Sequence, residues 1–184
     1  MKSLRHIFLL LFIAFTGDSF ASKDDKAFQE QSMLSVLYVQ TATEFAANNI
    51  QTYTNAKDAL LKGLEDSSWT AALEQVDNFE NKSPAIILDV DETVLDNSNF
   101  QARTILSGLS YPNGWSEWVN ESNAGAVEGV YDFLHFADKK GVKIYYLTNR
   151  LESFREATKK NILKLGLPFE DDEVLLMRSE ENLR

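Results

Sequence analysis

The stretch PAIILDVDETVLDN, residues 84–97, decides how the rest of the chain is interpreted. It begins with four apolar residues, 85–88, and residues 85–90 together have the length and character of a buried central strand. Three acids then follow within four residues, namely Asp89, Asp91 and Glu92. Because these carboxylates repel one another, they either lie in solvent as an ordinary turn or surround a bound cation.

The sequence after this stretch alternates between helical and strand-like patterns. It predicts a helix over 124–141, a strand over 142–147, a helix over 152–166 and a strand over 173–177. A glycine closes each predicted helix, as is common at helix ends. A strand–helix–strand–helix–strand order implies right-handed crossovers and a parallel sheet, so we expect an α/β domain.

Two other segments of this domain are a helical N-terminal portion and an aromatic insertion. Residues of about 28–80 are predicted to be helical, and a last helix begins near Trp69 with Asp66 or Ser67 as its cap. The sheet-bearing core begins at about residue 84. Residues 97–124 follow no clean period, and we predict an aromatic, loop-rich insertion there.

The N-terminal residues have the layout of a secretory signal peptide. Two basic residues precede the apolar run 7–15, and Ser19 and Ala21 stand where a signal peptidase needs small side chains. The run is too short to span a bilayer. We expect cleavage after Ala21 and export of one soluble domain, residues 22–184, to the periplasm or the medium. The alternative is a buried N-terminal helix.

The charge of the chain limits its partners. The 18 basic and 28 acidic residues give a net charge of −10, and removal of residues 1–21 takes away two bases and one acid, which leaves −11. Such a surface repels nucleic-acid polymers and anionic membranes, so we expect neither as a partner. A small phosphorylated ligand is compatible with this charge if a metal ion or local amides bind it.

Cysteine and histidine are nearly absent, which excludes several kinds of chemistry. The chain has no cysteine, so we expect no disulfides, thiol nucleophiles or thiolate zinc sites, and no lipid attachment at an N-terminal cysteine. After loss of His6 only His135 remains, and one histidine cannot form a histidine pair or a multi-histidine metal site. Because His135 lies among aromatic residues at helical spacing, we interpret it as a structural or surface residue.

Polar residues follow two predicted strands, and parallel strands bring these ends together at the edge where ligands bind. The first strand leads into Asp89 and Asp91, and the second into Thr148, Asn149 and Arg150. One carboxylate can attack phosphorus and a second can protonate the leaving oxygen, while Mg²⁺ neutralises the charge. A hydroxyl and an amide at the start of the following helix can hold a phosphate. The combination predicts a phosphoryl-transfer site.

The motifs ILDVDETVLDNS, residues 87–98, and YYLTNR, residues 145–150, resemble the first and second motifs of the haloacid dehalogenase (HAD) superfamily of phosphohydrolases. More narrowly, they are similar to its secreted acid phosphatases, the class B/class C group that includes bacterial lipoprotein 5′-nucleotidases. The N-terminal helices and the W-x-x-W insertion, residues 115–118, also match that group. The resemblance covers about residues 33–178 and implies a HAD-like, Rossmann-type parallel sheet with helices on both faces.

The resemblance also implies a role for each motif residue. Asp89 would be the nucleophile and would bind Mg²⁺ through its side chain. Asp91 would be the general acid and base and would bind Mg²⁺ through its main-chain carbonyl. Thr148, together with Asn149, would bind the phosphoryl group.

Three further residues have an implied role and an alternative. Arg150 would be a phosphate contact, or else an arginine at a helix start that pairs with Glu152 or another nearby acid. Tyr111 and Trp118 match positions where the family stacks a base or an aromatic leaving group. The alternative for both is packing within the insertion.

The function implied is that of a magnesium-dependent acid phosphatase, which hydrolyses phosphomonoesters, including nucleoside 5′-monophosphates, through an aspartyl phosphate on Asp89. One alternative is a non-catalytic relative that keeps the fold as a storage or phosphate-ligand-binding protein. Another is phosphotransfer to an alcohol by the same residues. The only partner expected is a small phosphomonoester.

Two motifs of the family have no match in this chain, which ends at Arg184. These are a lysine that steadies the phosphoryl aspartate and a G-D-x-x-x-D that completes the magnesium site. Residues 170–173, EDDE, precede their strand at the opposite pole, and Lys159 and Lys160 lie on a predicted solvated helix face. We therefore expect a fragment of a longer protein, with low activity and with apolar sheet surface uncovered.

Overall fold

The computed structural model describes residues 23–72, 74–76 and 78–180, with side chains from Gln31 onward. The predicted signal peptide, residues 1–21, lies outside these residues. None of the helices within them has both the length and the apolar character that a membrane span requires.

The described residues form six α-helices, five strands and two short 3₁₀ helices. The α-helices are α1 (Lys23–Thr41), α2 (Thr43–Glu65), α3 (Ser98–Ser107), α4 (Trp115–Glu121), α5 (Val130–Lys139) and α6 (Arg155–Lys164). The strands are β1 (Ala85–Asp89), β2 (Leu95–Asp96), β3 (Gly125–Ala126), β4 (Lys143–Leu151) and β5 (Leu175–Arg178). The 3₁₀ helices are Glu152–Phe154 and Asp172–Val174.

The main sheet is parallel and has the order β1-β4-β5, which confirms the predicted α/β class. Asp89 pairs with Leu147, and Tyr146 pairs with Leu175. Among the described strands β4 is the middle one. The prediction that residues 85–90 form a central strand was therefore wrong, because β1 lies at an edge and its Ile87 is 65% exposed.

One face of this sheet is buried and the other is open. Because the strand order advances in one direction, right-handed crossovers place α5 and α6 on the same face. The side chains there, Leu88, Ile144, Tyr146 and Leu175, belong to the hydrophobic core. The opposite face exposes the apolar side chains Ile87, Leu147 and Leu176. This is the uncovered sheet surface that the sequence predicts.

The helical N-terminal portion is shorter than predicted. It ends at Glu65, and the described residues between 66 and 84 contain no helix. Asp66 accepts hydrogen bonds from the main-chain nitrogen and the hydroxyl of Ser68. Such local bonds compete with helix formation, so the residue predicted to cap a further helix closes a turn instead.

The predicted loop-rich insertion, residues 97–124, contains two helices, α3 and α4. Their aromatic residues pack edge to face, with the rings of Phe100 and Trp115 5.0 Å apart. The helices are short and present few core residues each, so they leave no clear helical period in the sequence. The helix predicted over 124–141 begins only at Val130, because Gly125–Ala126 pairs with Leu95–Asp96 as a two-stranded antiparallel ribbon.

The N-terminal helices α1 and α2 contact the segment that follows β1 and the start of α3. The hydroxyl of Tyr53 on α2 donates to the main-chain oxygen of Thr93 at 2.6 Å. Gly129, at the start of α5, has φ of +85°, and a Cβ there would lie 3.1 Å from the Cα of Ile50. A side chain at this position would be strained and crowded, so glycine allows α2 to pack closely. The amide of Gln40 on α1 likewise donates to Ser98 at 3.1 Å.

His135 has the structural role expected of it. It is half-buried on α5, its Nε2 donates to the main-chain oxygen of Gly166 at 2.9 Å, and its ring lies 4.3 Å from that of Tyr131. This bond joins α5 to the end of α6.

Candidate active site

The site lies at the carboxyl end of the sheet, where β1 and β4 are neighbours. Asp89 is the last residue of β1 and pairs with Leu147. The next residue of β4 is Thr148, so the pairing brings the two motifs together as the sequence predicts. The acids Glu170 and Asp171 lie at the other end, where they pair with Lys143, the first residue of β4.

A tight turn after β1 presents the acids. The main-chain oxygen of Val90 accepts from the nitrogens of Val94 and Leu95 at 2.9 and 2.8 Å. Glu92 has φ of +59°, in the left-handed region that side chains other than glycine rarely adopt. Val90 and Val94 are fully buried, so the apolar residues between the acids anchor the turn.

The Asp91 carboxylate is held by three neighbours. Arg150 donates to it through Nε at 3.1 and 3.2 Å and through Nη2 at 2.7 Å. The amide nitrogen of Asn97 donates at 2.8 Å, and the hydroxyl of Thr148 lies at 3.3 Å. A two-pronged arginine contact is both strong and geometrically specific.

Arg150 is buried, with 2% of its side chain exposed. Its Nη1 donates to Thr158 on α6 at 3.1 Å, and its guanidinium carbon lies 5.3 Å from the centre of the Trp115 ring. A buried guanidinium must be paired, and here the partner is Asp91. The alternative pairing with Glu152 does not occur, because Glu152 binds Arg155.

Asp89 has a different environment. Its side chain is exposed, and its contact is a hydroxyl from Thr93 at 3.3 Å. This distance is long for an O–H···O bond, so the carboxylate is only weakly held. The two acids of the motif thus differ in their surroundings, since Asp89 is accessible to solvent while hydrogen bonds fix the Asp91 carboxylate.

Thr148 and Asn149 lie in β4, which continues to Leu151, and α6 begins only at Arg155. The prediction that they open a helix was therefore wrong. The Thr148 hydroxyl accepts from the main-chain nitrogen of Arg150 at 3.0 Å. Thr148 is buried, whereas Asn149 is exposed, as the alternation of a strand requires.

Glu92, one of the three acids of the first motif, is bonded to Asn97, a residue for which the sequence predicted no role. The main-chain nitrogen of Asn97 donates to the Glu92 carboxylate at 3.1 Å. The Glu92 side chain is exposed, but partial desolvation at the turn, the largest influence, raises its pKa above the usual value, and the bonds from Asn97 oppose this shift. The motif letters D-N-S offered a signal for Asn97, because Asn before a helix commonly bonds nearby groups.

A cavity of about 390 Å³ opens beside Asp91. It is lined by three aromatic side chains and by polar residues, including Phe100, Tyr111, Trp115, Gln101, Thr104 and Asn149. Trp118 does not line it, because that residue is 2% exposed and its Nε1 donates to Asn97 at 2.8 Å. The structure therefore places Tyr111 at the cavity and Trp118 in the packing of the insertion, and Trp115 is the tryptophan that faces the cavity.

Oxygen donors suited to a hard cation lie at the turn. They are the weakly held Asp89 carboxylate and the main-chain oxygen of Asp91, which accepts no hydrogen bond from the part of the chain that the structure describes. Mg²⁺ prefers oxygen ligands and keeps several waters, so two protein oxygens fit part of its shell. No group of three metal-binding acids or histidines occurs among the described residues.

A parallel α/β sheet whose first strand leads into two such carboxylates defines a HAD-type phosphohydrolase fold. Residues 21–184 match the sequence model of the HAD superfamily, subfamily IIIB (acid phosphatase), and the chain belongs to this family.

Solved structures of a class C acid phosphatase from Bacillus anthracis are similar to the chain. The structure with tungstate bound has a TM-score of 0.73 and 36% sequence identity, over 84% of this chain and 60% of that one. A second structure of that enzyme has the same TM-score and identity over 83% of this chain and 60% of that one. The chain thus spans about 60% of the length of these relatives.

Proposed function

We propose that this chain carries the nucleophile and the general acid of a metal-dependent acid phosphatase that hydrolyses phosphomonoesters. The observation that carries the proposal is the contrast between the two carboxylates at the carboxyl end of the sheet. Asp89 is exposed and weakly held, as a nucleophile must be, while Asp91 is fixed beside the cavity.

The chemistry follows from these positions. A carboxylate oxygen of Asp89 attacks phosphorus, and the bond between phosphorus and the ester oxygen breaks. Protonated Asp91 gives its proton to the departing oxygen, and the products are an alcohol and an aspartyl phosphate. Ionised Asp91 then takes a proton from water, and the resulting hydroxide attacks phosphorus. The bond between phosphorus and the Asp89 oxygen breaks, which releases inorganic phosphate and regenerates the Asp89 carboxylate.

Asp89, through its carboxylate, and Asp91, through its main-chain oxygen, would hold Mg²⁺. When bound, the ion neutralises charge on the phosphoryl oxygens. A strongly acidic chain needs such neutralisation to accept an anionic substrate, since its net charge is −10.

We assign phosphoryl binding to Asn149 and Thr148. The exposed Asn149 lines the cavity. The Thr148 hydroxyl is 3.3 Å from Asp91, a bond long enough for the hydroxyl to turn towards a stronger acceptor. Arg150 was predicted as a phosphate contact, but its contacts with Asp91 and Thr158 favour a role in holding the general acid. Tungstate, the oxyanion bound in the Bacillus anthracis relative, supports an oxyanion site in this family.

The aromatic cavity favours a substrate with a planar leaving group. Tyr111 and Trp115 stand at its wall with their rings 5.9 Å apart. Aromatic rings stack on nucleobases and aryl groups, so nucleoside 5′-monophosphates and aryl phosphates are the proposed substrates. The signal-like segment, residues 1–21, supports export to the periplasm or the medium. The enzyme would act on such esters there.

The test is hydrolysis of a chromogenic aryl phosphate by the protein expressed as its gene encodes it, with Mg²⁺ and with EDTA. We expect EDTA to abolish turnover and Asp89→Asn to lower it by about 10³-fold or more. Asp58→Asn, the same change at an exposed residue of α2, is the control and should match the wild type. An Asp89→Asn protein with wild-type turnover would refute the proposal.

The same assay separates the alternatives. A storage or phosphate-ligand-binding protein would bind phosphate without turnover in any variant. Phosphotransfer would yield a new phosphoester when an alcohol is added, at the expense of inorganic phosphate.

A further inference from the structure

Asn97 is a buried polar residue at the junction of the site and the insertion. It is 2% exposed and immediately precedes α3. Its amide oxygen accepts from Trp118 Nε1 at 2.8 Å, and its amide nitrogen donates to Asp91 Oδ1 at 2.8 Å. An indole nitrogen can only donate, so the atom facing Trp118 must be the oxygen of Asn97. The amide nitrogen is thereby directed at Asp91.

These contacts make the two oxygens of Asp91 unequal. Oδ1 accepts from Asn97 Nδ2 at 2.8 Å and from Arg150 Nη2 at 2.7 Å and Nε at 3.1 Å. Among the residues that the structure describes, the donors to Oδ2 are Arg150 Nε at 3.2 Å and the hydroxyl of Thr148 at 3.3 Å. An oxygen that accepts three donors has no room for a proton of its own, whereas Oδ2 has.

We propose that Asn97 is a positioning residue for the general acid of this enzyme. With Arg150 it holds Oδ1 and fixes the rotation of the carboxyl group, so that Oδ2 carries the proton given to the leaving oxygen. Trp118 acts one step further away, because its Nε1 fixes the orientation of the Asn97 amide. The inference rests on the proposed function, in which Asp91 is the general acid.

Proton donation matters in proportion to the basicity of the leaving oxygen. An alkoxide is a poor leaving group and needs the proton in the transition state, whereas a nitrophenolate leaves without much help. A protein with a misplaced Asp91 should therefore lose activity towards alkyl phosphates and keep most of it towards nitrophenyl phosphate. Loss of a phosphate contact would instead lower both activities together.

The experiment compares kcat/KM for 4-nitrophenyl phosphate and glycerol 2-phosphate, because kcat/KM reports the transfer to Asp89. The variant is Asn97→Leu, which is similar in size and lacks the amide. We expect a loss of about 10- to 100-fold for the glycerol ester and less than about threefold for the aryl ester.

Asn161→Leu is the matched control. Asn161 is also buried, at 3% exposure, and its amide bonds both main-chain atoms of Ala124 at 2.9 Å, with no contact to Asp91. The control removes an equally buried amide, so it should lower stability and leave the ratio of the two kcat/KM values at the wild-type level.

Trp118→Phe keeps the ring and removes the Nε1 donor, and it decides the question if Asn97→Leu does not fold. We expect a smaller change of the ratio in the same direction. An unchanged ratio in the folded variant, or an equal loss for both esters, would overturn the role of Asn97. A wild type that hydrolyses neither ester would overturn the proposed function itself.

Discussion

The two faces of the β1-β4-β5 sheet carry similar apolar side chains in opposite environments. Tyr146 and Leu175 on the closed face are at most 1% exposed, whereas Leu147 and Leu176 on the open face are 49% and 41% exposed. The difference arises because α5 and α6 cover only one face of the described sheet.

The same division continues into the site. Along β4 the closed face leads to Thr148 and Arg150, which hold Asp91 from within the protein. The open face leads to Asn149 on β4 and Asp89 on β1, which are exposed. Rigidity is thus supplied by the covered face, and access to the nucleophile by the open one. Measurements of the free energy of unfolding of the 184-residue chain can test this division.

The largest effect on stability is expected at Tyr146 on the closed face, which can be compared with its neighbour Tyr145 on the opposite face. Tyr146→Ala should lower the free energy of unfolding by about 3–5 kcal/mol, because it leaves a cavity in the closed face. Tyr145→Ala should cost only about 1 kcal/mol, since Tyr145 is half-buried on the other face. Urea denaturation followed by circular dichroism measures both. Equal costs would show that the two faces are equally buried in solution.

Tyr146→Phe isolates the hydroxyl of this residue, which donates to the main-chain oxygen of Pro168 at 2.6 Å. Loss of the bond should lower the free energy of unfolding by about 1 kcal/mol at about pH 7. Burial, and secondarily the charge of Asp138, raises the pKa of Tyr146 above its ordinary value. The unfolded chain therefore ionises this group before the folded chain does, and the wild type loses stability as the pH rises above about 10.

The phenylalanine variant lacks this ionisation. Its stability deficit should shrink between about pH 7 and about pH 10.5, which denaturation at both pH values measures. A deficit that stays constant would mean that the Tyr146 pKa is not raised in the folded protein.

The smallest effect is expected for Ile87→Thr on the open face, which keeps a β-branched side chain in β1. Because Ile87 is 65% exposed, the free energy of unfolding should change by no more than about 0.5 kcal/mol. Light scattering should show less aggregation, since an exposed apolar edge strand is a site of association. A cost comparable with that of Tyr146→Ala would show that another copy or further polypeptide covers this face.

Much of the fold and part of the site could be predicted from local patterns. The strands and the helices after residue 125 have clear periods, and the order of elements implies the parallel sheet that brings Asp89 next to Thr148. The helices of the insertion were missed because their core residues are few. The turn at Asp66 was mistaken for a helix start because the same side chain can cap a helix or close a turn.

Within the site, the sequence by itself determined the acids of the turn and the alternation that sends neighbouring residues of β4 to opposite faces. The alternation follows from the period of two in a strand. Only the tertiary structure decided which acid pairs with Arg150 and which tryptophan faces the cavity. In the sequence, Asp91 lies 59 residues from Arg150, whereas Glu152 lies only two residues from it. The pairing of β1 with β4 nevertheless makes Asp91 the acid that contacts the guanidinium. Such contacts between distant segments leave no periodic trace in the sequence.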